Sequence, residues 1–185
     1  MIDLLVRGAR IAGSTDPAPV DLHVDKGVIL EIVPAATELT PAQTVIEARG
    51  ALLSPPYVEP HIHLDTALTC GEPRWNASGT LWEGIACWSE RKASLSREDV
   101  IDRAEEIIRW QVANGVLFVR THVDITDPAL TALDALVEVR ERVRRVVDLQ
   151  IVACPPPPTT LNSPFACHPG AAGGGGGAGR ARYAR

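Results

Sequence analysis

Between residues 96 and 154 the hydrophobic period of the chain switches repeatedly between that of a helix and that of a strand. This alternation restricts the fold more than any other feature. "SREDVIDRAEEIIRWQVANG" sets Val100, Ile101, Ala104, Ile107, Ile108 and Val112 on one helical stripe. Ser96 is a natural N-cap with Asp99 at the third helical position; Glu98, Asp99 and Asp102 crowd the positive end of the dipole, and Gly115 marks the stop. In "GVLFVRTHVD", Leu117, Phe118 and Val119 suit a buried parallel strand. "TDPALTALDALVEVRERVRR" predicts a further helix, capped by Thr126 or Asp127 with Pro128 in its first turn, and "DLQIVAC" the next strand. "GTLWEGIACWSERKASL" supplies one more helix upstream. Strand, helices, strand, helix, strand is the order of right-handed βαβ units around a parallel sheet.

The chain on either side has another character. Residues 1–54 read as short strands: "DLLVRGARI" and "DLHVDKGVILEIV" alternate roughly, "TVIEA" is a further candidate, and Asp25-Lys26-Gly27 signals a hairpin with Gly27 at positive φ. His23 reads as an ordinary, partly exposed histidine. From Pro155 the sequence contains "PPPP" and "GGGGG", and 13 of its last 31 residues are Pro or Gly. Such a composition cannot bury enough surface to offset its ordering entropy, so residues 155–185 are expected to be disordered. The expected division is thus 1–54, 55–154 and 155–185.

Charge and cysteine usage narrow the function classes. The formal charge is −5, and the tail holds three arginines and no acid, so residues 1–154 carry −8. An acidic body argues against binding nucleic acid through phosphate neutralisation. No apolar stretch approaches the roughly 18 residues that span a bilayer, and "MIDLLVRGARIAG" is not a signal peptide, so a cytoplasmic protein without membrane contact is expected. Cys70, Cys87, Cys154 and Cys167 form no CxxC pair and are expected as free thiols.

Chemistry concentrates in "PPYVEPHIHLD". Alternate side chains of a strand share a face, with Cα atoms of i and i+2 roughly 6.6 Å apart. His61 and His63 can therefore converge on one ion while Ile62 points away. The pair closes the strand that opens the β/α region, and the C-terminal ends of such strands are where barrels and open sheets place their sites. An HxH pair alone leaves metal ligation and an ordinary polar strand end both open. His122 and Asp124, ending the next strand, read either as a satisfied polar pair filling the barrel interior or as groups steering a ligand histidine. Asp65 reads as a cap or turn at the strand exit. Trp75, Trp82, Trp88 and Trp110 read as packing residues, Trp75 being the best candidate for substrate stacking.

"PPYVEPHIHLD", "WNASGTLWEGI", "WQVANG", "VRTHVD" and "DLQIVA" together resemble bacterial cytosine deaminase of the amidohydrolase superfamily, from near residue 1 to about residue 155. The resemblance implies an α/β fold: the N-terminal portion of a distorted (β/α)₈ TIM-like barrel, about three strands, preceded by a small β-sandwich segment. It implies one divalent metal ion, iron(II) or zinc, with His61 and His63 as its first two ligands. It implies hydrolysis of cytosine to uracil and ammonia by water that the metal acidifies. Leu81 matches a position lining the pyrimidine pocket. The resemblance also implies a small-molecule substrate, cytosine or a related pyrimidine, and, for the full-length family, a homo-oligomer.

The resemblance stops early. A full barrel takes about 250 residues, and the family's later metal ligands and proton-shuttling glutamate have no counterpart here. His168, Cys154 and Cys167 are not expected to replace them. At Pro156 the family pattern has a glutamine that grips the pyrimidine. The tail resembles GC-rich DNA read out of frame, so a frameshifted or truncated gene is expected, and three strands with an open edge imply a marginal, aggregation-prone chain. Three functional readings follow: an aminohydrolase of cytosine by descent, a non-catalytic remnant that associates with full-length subunits, or an amidohydrolase acting on another pyrimidine or a triazine.

Overall fold

The structure is a computed structural model that describes residues 1–35 and 40–154. The tail expected to be disordered lies outside the described residues. The chain divides into two compact units, one from Met1 to Pro55 and one from Pro56 onward.

The first unit is a five-stranded sheet. Its strands are β1 (Ile2–Ile11), β2 (Val20–Asp25), β3 (Val28–Pro34), β4 (Ala42–Glu47) and the short β5 (Leu52–Leu53). The order is β3-β2-β1-β4, with β5 also on β1. β1 runs antiparallel to β2 and parallel to β4 and β5. The hairpin expected at Asp25-Lys26-Gly27 is present: Lys26 and Gly27 both adopt positive φ, 52° and 76°, as a two-residue turn between twisted strands demands. Lys26 tolerates this because its backbone N–H donates to Asp3 Oδ2 at 2.8 Å. A bulge interrupts β1 between Val6 and Ala9, and there Gly8, at φ 62°, donates its N–H to Asp21 Oδ1. Leu5, Ala9 and Leu22 are buried, whereas Val28, Ile29, Leu30 and Ile32 of β3 are each at least half exposed.

The second unit contains the parallel sheet that the alternating period predicts. β6 (Tyr57–Ile62), β7 (Val116–Asp124) and β8 (Asp148–Cys154) pair in that order. Helices α1 (Leu81–Lys92) and α2 (Arg97–Ala113) connect β6 to β7, and α3 (Thr131–Val143) connects β7 to β8. α1 is capped by the Thr80 side chain and α2 by Ser96, whose Oγ accepts from the Asp99 N–H at 3.1 Å. The expected stripe becomes the core. Val100, Ile101, Ala104 and Ile108 of α2 pack with Ala132, Ala135, Leu136 and Val139 of α3 over Val119, Val123 and Leu149 of the sheet. No helix among the described residues is long and apolar enough to cross a membrane.

α3 begins later than its sequence suggests. The helix starts at Thr131, not after Thr126 or Asp127, and Pro128 lies outside it. Leu130 takes the N-cap position in the left-handed region, φ 53°, and its side chain cannot cap. Asp127 serves from a distance: its carboxylate accepts the N–H groups of Ala129 and Thr131 and so closes a turn that delays the helix.

Leu136 is fully buried in the helix–sheet core, whereas Val146 is 54% exposed. Leu136→Ala is expected to lower stability by about 2–5 kcal/mol, and Val146→Ala by less than about 0.5 kcal/mol. Urea unfolding monitored by circular dichroism measures both.

Candidate metal centre at the strand ends

Side chains alternate along β7. Val119, Thr121 and Val123 are buried beneath the helices, so Phe118, Arg120, His122 and Asp124 occupy the opposite face. β6 joins β7 through pairs that include Ile62 with Thr121, which aligns the end of β6 with the second half of β7. His61 is the next-to-last residue of β6, and His63 follows the strand directly.

The two imidazoles converge as the HxH spacing allows. His61 Nε2 and His63 Nε2 lie 3.4 Å apart, and the ring centroids are 5.4 Å apart. Two nitrogens bound to one tetrahedral ion at about 2.05 Å would be separated by about 3.3 Å. The observed separation is close to that value. Among the described residues no third His, Cys, Asp or Glu completes a metal-holding group.

His122 is neither hydrogen-bonded to Asp124 nor steering a ligand through a hydrogen bond. Its ring stacks on His61, with centroids 3.9 Å apart and planes inclined by 20°. Its buried Nδ1 meets no hydrogen-bond partner among the described residues. Burial, followed by the proximity of His61, His63 and Arg120, depresses its pKa, so a neutral ring backs His61. Asp124 instead gathers α1 onto the strand end. Its Oδ2 accepts from Trp88 Nε1 and from Lys92 Nζ, each at 2.8 Å, and Lys92 also reaches Thr126. Burial pushes the Asp124 carboxyl up, but these donors outweigh it and hold the carboxyl below its usual range.

Asp65 does more than turn the chain. It is fully buried, and its Oδ2 accepts the Asp124 N–H at 2.8 Å while Oδ1 accepts the Thr66 N–H at 3.0 Å. Leu64 adds a second tie by donating its N–H to Thr121 Oγ1. Asp65 Oδ1 lies 3.9 Å from His63 Nδ1. Burial is the largest influence on the Asp65 carboxyl and raises its pKa. Behind the turn, Arg103 of α2 donates to the carbonyls of Asp65 and Ala67 at 2.9 and 2.6 Å.

Other candidates sit differently. Leu81 opens α1 and is 65% exposed. Trp82 and Trp110, read as packing residues, are more than half exposed, as is Trp75, the candidate for stacking; of the four tryptophans, Trp88 alone is tied to the strand ends, through Asp124. Cys70 is exposed, Cys87 and Cys154 are buried, and Cys70 and Cys87 are free thiols. His23 bonds Glu31 at 2.8 Å in the first unit. A groove of about 710 Å³ lined by Val58, Phe118, Arg120, Arg140 and Asp148 opens near the N-terminal ends of the strands, away from the histidines. The sequence reading missed Lys92 and Arg103; the one available signal was the (i, i+4) spacing of Asp99 and Arg103, which equally describes a surface ion pair.

The comparisons agree with this architecture. A model described as "Amidohydrolase family" matches residues 44–149, over half of the chain. The chain belongs to the amidohydrolase family. The crystal structure of 5-methylcytosine deaminase from Klebsiella pneumoniae liganded with 5-fluorocytosine is 48% identical, with a TM-score of 0.74, over 80% of this chain and 36% of that one. N-isopropylammelide isopropylaminohydrolase from Burkholderia multivorans is 30% identical, with a TM-score of 0.66, over 89% of this chain and 40% of that one. N-isopropylammelide isopropyl amidohydrolase of Pseudomonas sp. (strain ADP) is 29% identical over 156 residues, 82% of this chain and 38% of its own length. The chain therefore spans less than half the length of each, and it corresponds to the N-terminal part of an amidohydrolase barrel.

Asp99 joins α1 to α2 by accepting both Arg91 and Arg103. Burial pushes its carboxyl up, but the two guanidinium groups prevail and hold it below the ordinary range. A depressed carboxylate contributes stability that is present above its unfolded pKa of about 3.9 and lost as pH falls through its lower folded value. The stability gap between the wild-type chain and Asp99→Asn is therefore expected to be constant from about pH 7 to 5 and to narrow below about pH 4. Urea titrations at several pH values check this.

Proposed function

We propose that this chain carries the first half of the metal centre of a hydrolase that removes an amino substituent from a pyrimidine ring, with cytosine or 5-methylcytosine as the substrate class. The observation that carries the reading is the 3.4 Å approach of His61 Nε2 and His63 Nε2 at the mouth of a parallel β/α sheet. The 48% identity to 5-methylcytosine deaminase supports a pyrimidine as the ring.

His61 and His63 would hold one divalent ion, zinc or iron(II), through neutral imidazoles whose Nε2 atoms give their lone pairs. The ion, when bound, supplies a Lewis acid that makes water a competent nucleophile near neutral pH. Donation through Nε2 requires the proton of His63 on Nδ1, the nitrogen nearest the Asp65 carboxylate, so Asp65 favours that tautomer electrostatically. His122 presses flat on His61 and restricts its ring rotation. Leu81 would supply an apolar wall of the ring pocket. Two imidazoles are one short of the three protein donors that a catalytic zinc site uses. Hydrolysis thus needs donors beyond those of the described residues.

A second reading keeps the centre and changes the ring. The relatives at 29% and 30% identity are named for N-isopropylammelide, so a triazine carrying an alkylamino group is the alternative substrate.

Zinc titration of the purified chain by calorimetry is expected to give one site, lost in both His61→Ala and His63→Ala; binding that survives both substitutions contradicts the assignment. Ammonia release from cytosine is expected to stay at background with the chain alone. Sustained turnover of cytosine would show that the donor set is complete, and release of isopropylamine from N-isopropylammelide would select the triazine reading.

A further inference from the structure

The turn that carries His63 away from the sheet is held by charged groups that the proposed chemistry does not use. Residues 63–67 form a closed turn in which the Ala67 N–H donates to the His63 carbonyl at 3.0 Å and the Thr66 hydroxyl donates to the same oxygen. Two further carbonyls of this turn, those of Asp65 and Ala67, accept from one nitrogen of Arg103, Nη1. The Arg103 side chain is only 11% exposed, and its Nη2 donates to Asp99 Oδ2 at 2.9 Å. Asp99 also takes both of its oxygens to Arg91 Nη2, at 2.9 and 3.0 Å, and Arg91 Nε donates to Glu72 at 2.9 Å. Arg91 is itself buried. The series Glu72, Arg91, Asp99, Arg103 thus begins and ends on the loop that follows β6, and it grips that loop from two helices.

We infer that Arg103, aimed by Asp99 and Arg91, is a positioning residue that sets the distance between His61 and His63. The inference rests on the metal-binding reading above and extends it to residues on the far side of the turn. Its physical basis is directional. With Nη2 fixed by the Asp99 carboxylate, the planar guanidinium aims the two N–H bonds of Nη1 as a rigid fork at the two carbonyls, a geometry that a freely rotating lysine ammonium does not reproduce. The fork holds the carbonyls two and four residues after His63, and the turn hydrogen bonds transmit that hold to the His63 backbone. Loss of the fork frees the turn to shift and changes the Nε2–Nε2 separation that one small ion requires.

The test compares Arg103→Met, Arg103→Lys, Asp99→Asn and a control, Arg142→Met, whose partners are Glu105 and Glu138 at the α2–α3 surface. Zinc is titrated into each 185-residue chain while the imidazole nitrogen resonances of His61 and His63 are followed, a readout that reports weak affinities as well as strong ones. Arg103→Met is expected to weaken zinc binding about tenfold or more. It is also expected to reduce cross-relaxation between the two imidazole rings in the metal-free protein. Arg103→Lys should recover part of the affinity, Asp99→Asn should fall between wild type and Arg103→Met, and Arg142→Met should bind as wild type does. Because Asp99→Asn removes a charge without changing shape, it carries the test if Arg103→Met fails to fold. Wild-type affinity and unchanged ring cross-relaxation in folded Arg103→Met or Asp99→Asn would overturn the inference alone. Absence of zinc binding in the wild-type chain would overturn the metal reading and this inference with it.

Discussion

A buried carboxylate at the end of a parallel strand governs the arrangement of the second unit. Parallel strands end without a hairpin to fix them, so the exit of β6 must be secured by side chains. Asp65 does this from a fully buried position, with one oxygen on the backbone of β7 and the other on its own turn. Each bond meets a backbone N–H that would otherwise be left without a partner at the strand end, a loss that is costly in a buried place. Asp124, the residue whose N–H Asp65 accepts, carries Trp88 and Lys92 on its own side chain and so brings α1 to the same point. One stitch therefore aligns two strands, a helix and the turn that presents His63.

The imidazole cluster gains its order from this alignment. His61 and His63 share a face because of strand geometry, and His122 meets His61 because the stitched register puts the ends of β6 and β7 side by side. The inner face that bears them is open. Phe118 and Val58, further back on the same sheet, are 45% and 62% exposed, so apolar side chains of the kind that fill a barrel interior face outward here. The groove near these residues lies at the N-terminal ends of the strands, whereas the polar chemistry lies at their other ends.

The layout of the second unit was legible because helix and strand periods differ and because Ser96, Gly115 and the β-rich "VLFV" and "LQIV" runs punctuate them clearly. The start of α3 was not. Asp127-Pro128 has the composition of a helix N-terminus, yet the Asp127 carboxylate reaches four residues ahead to the Thr131 N–H and stabilises a turn instead. The facing of His61 and His63 follows from a two-residue repeat and could be read directly. The stacking of His122 on His61 could not, since it depends on which residue of β7 stands beside β6. Arg103 and Lys92 were invisible for a related reason. Each lies on a helix amid other charges, and only the packing of that helix against the strand ends reveals that it points inward. The exposure of Trp75, Trp82 and Trp110 likewise depends on where their helices and loops meet the sheet, which local sequence does not specify.

The central claim is that the end of β6 presents two imidazoles at the spacing of a shared ion. X-ray absorption at the zinc edge, recorded on the purified chain with one equivalent of zinc, tests it most directly. The account predicts that zinc on the wild-type chain shows scattering from two imidazole rings bound through nitrogen at about 2.0–2.1 Å, and that this scattering is lost in His61→Ala and in His63→Ala. A spectrum in which zinc carries no imidazole, or is unchanged by both substitutions, would contradict it.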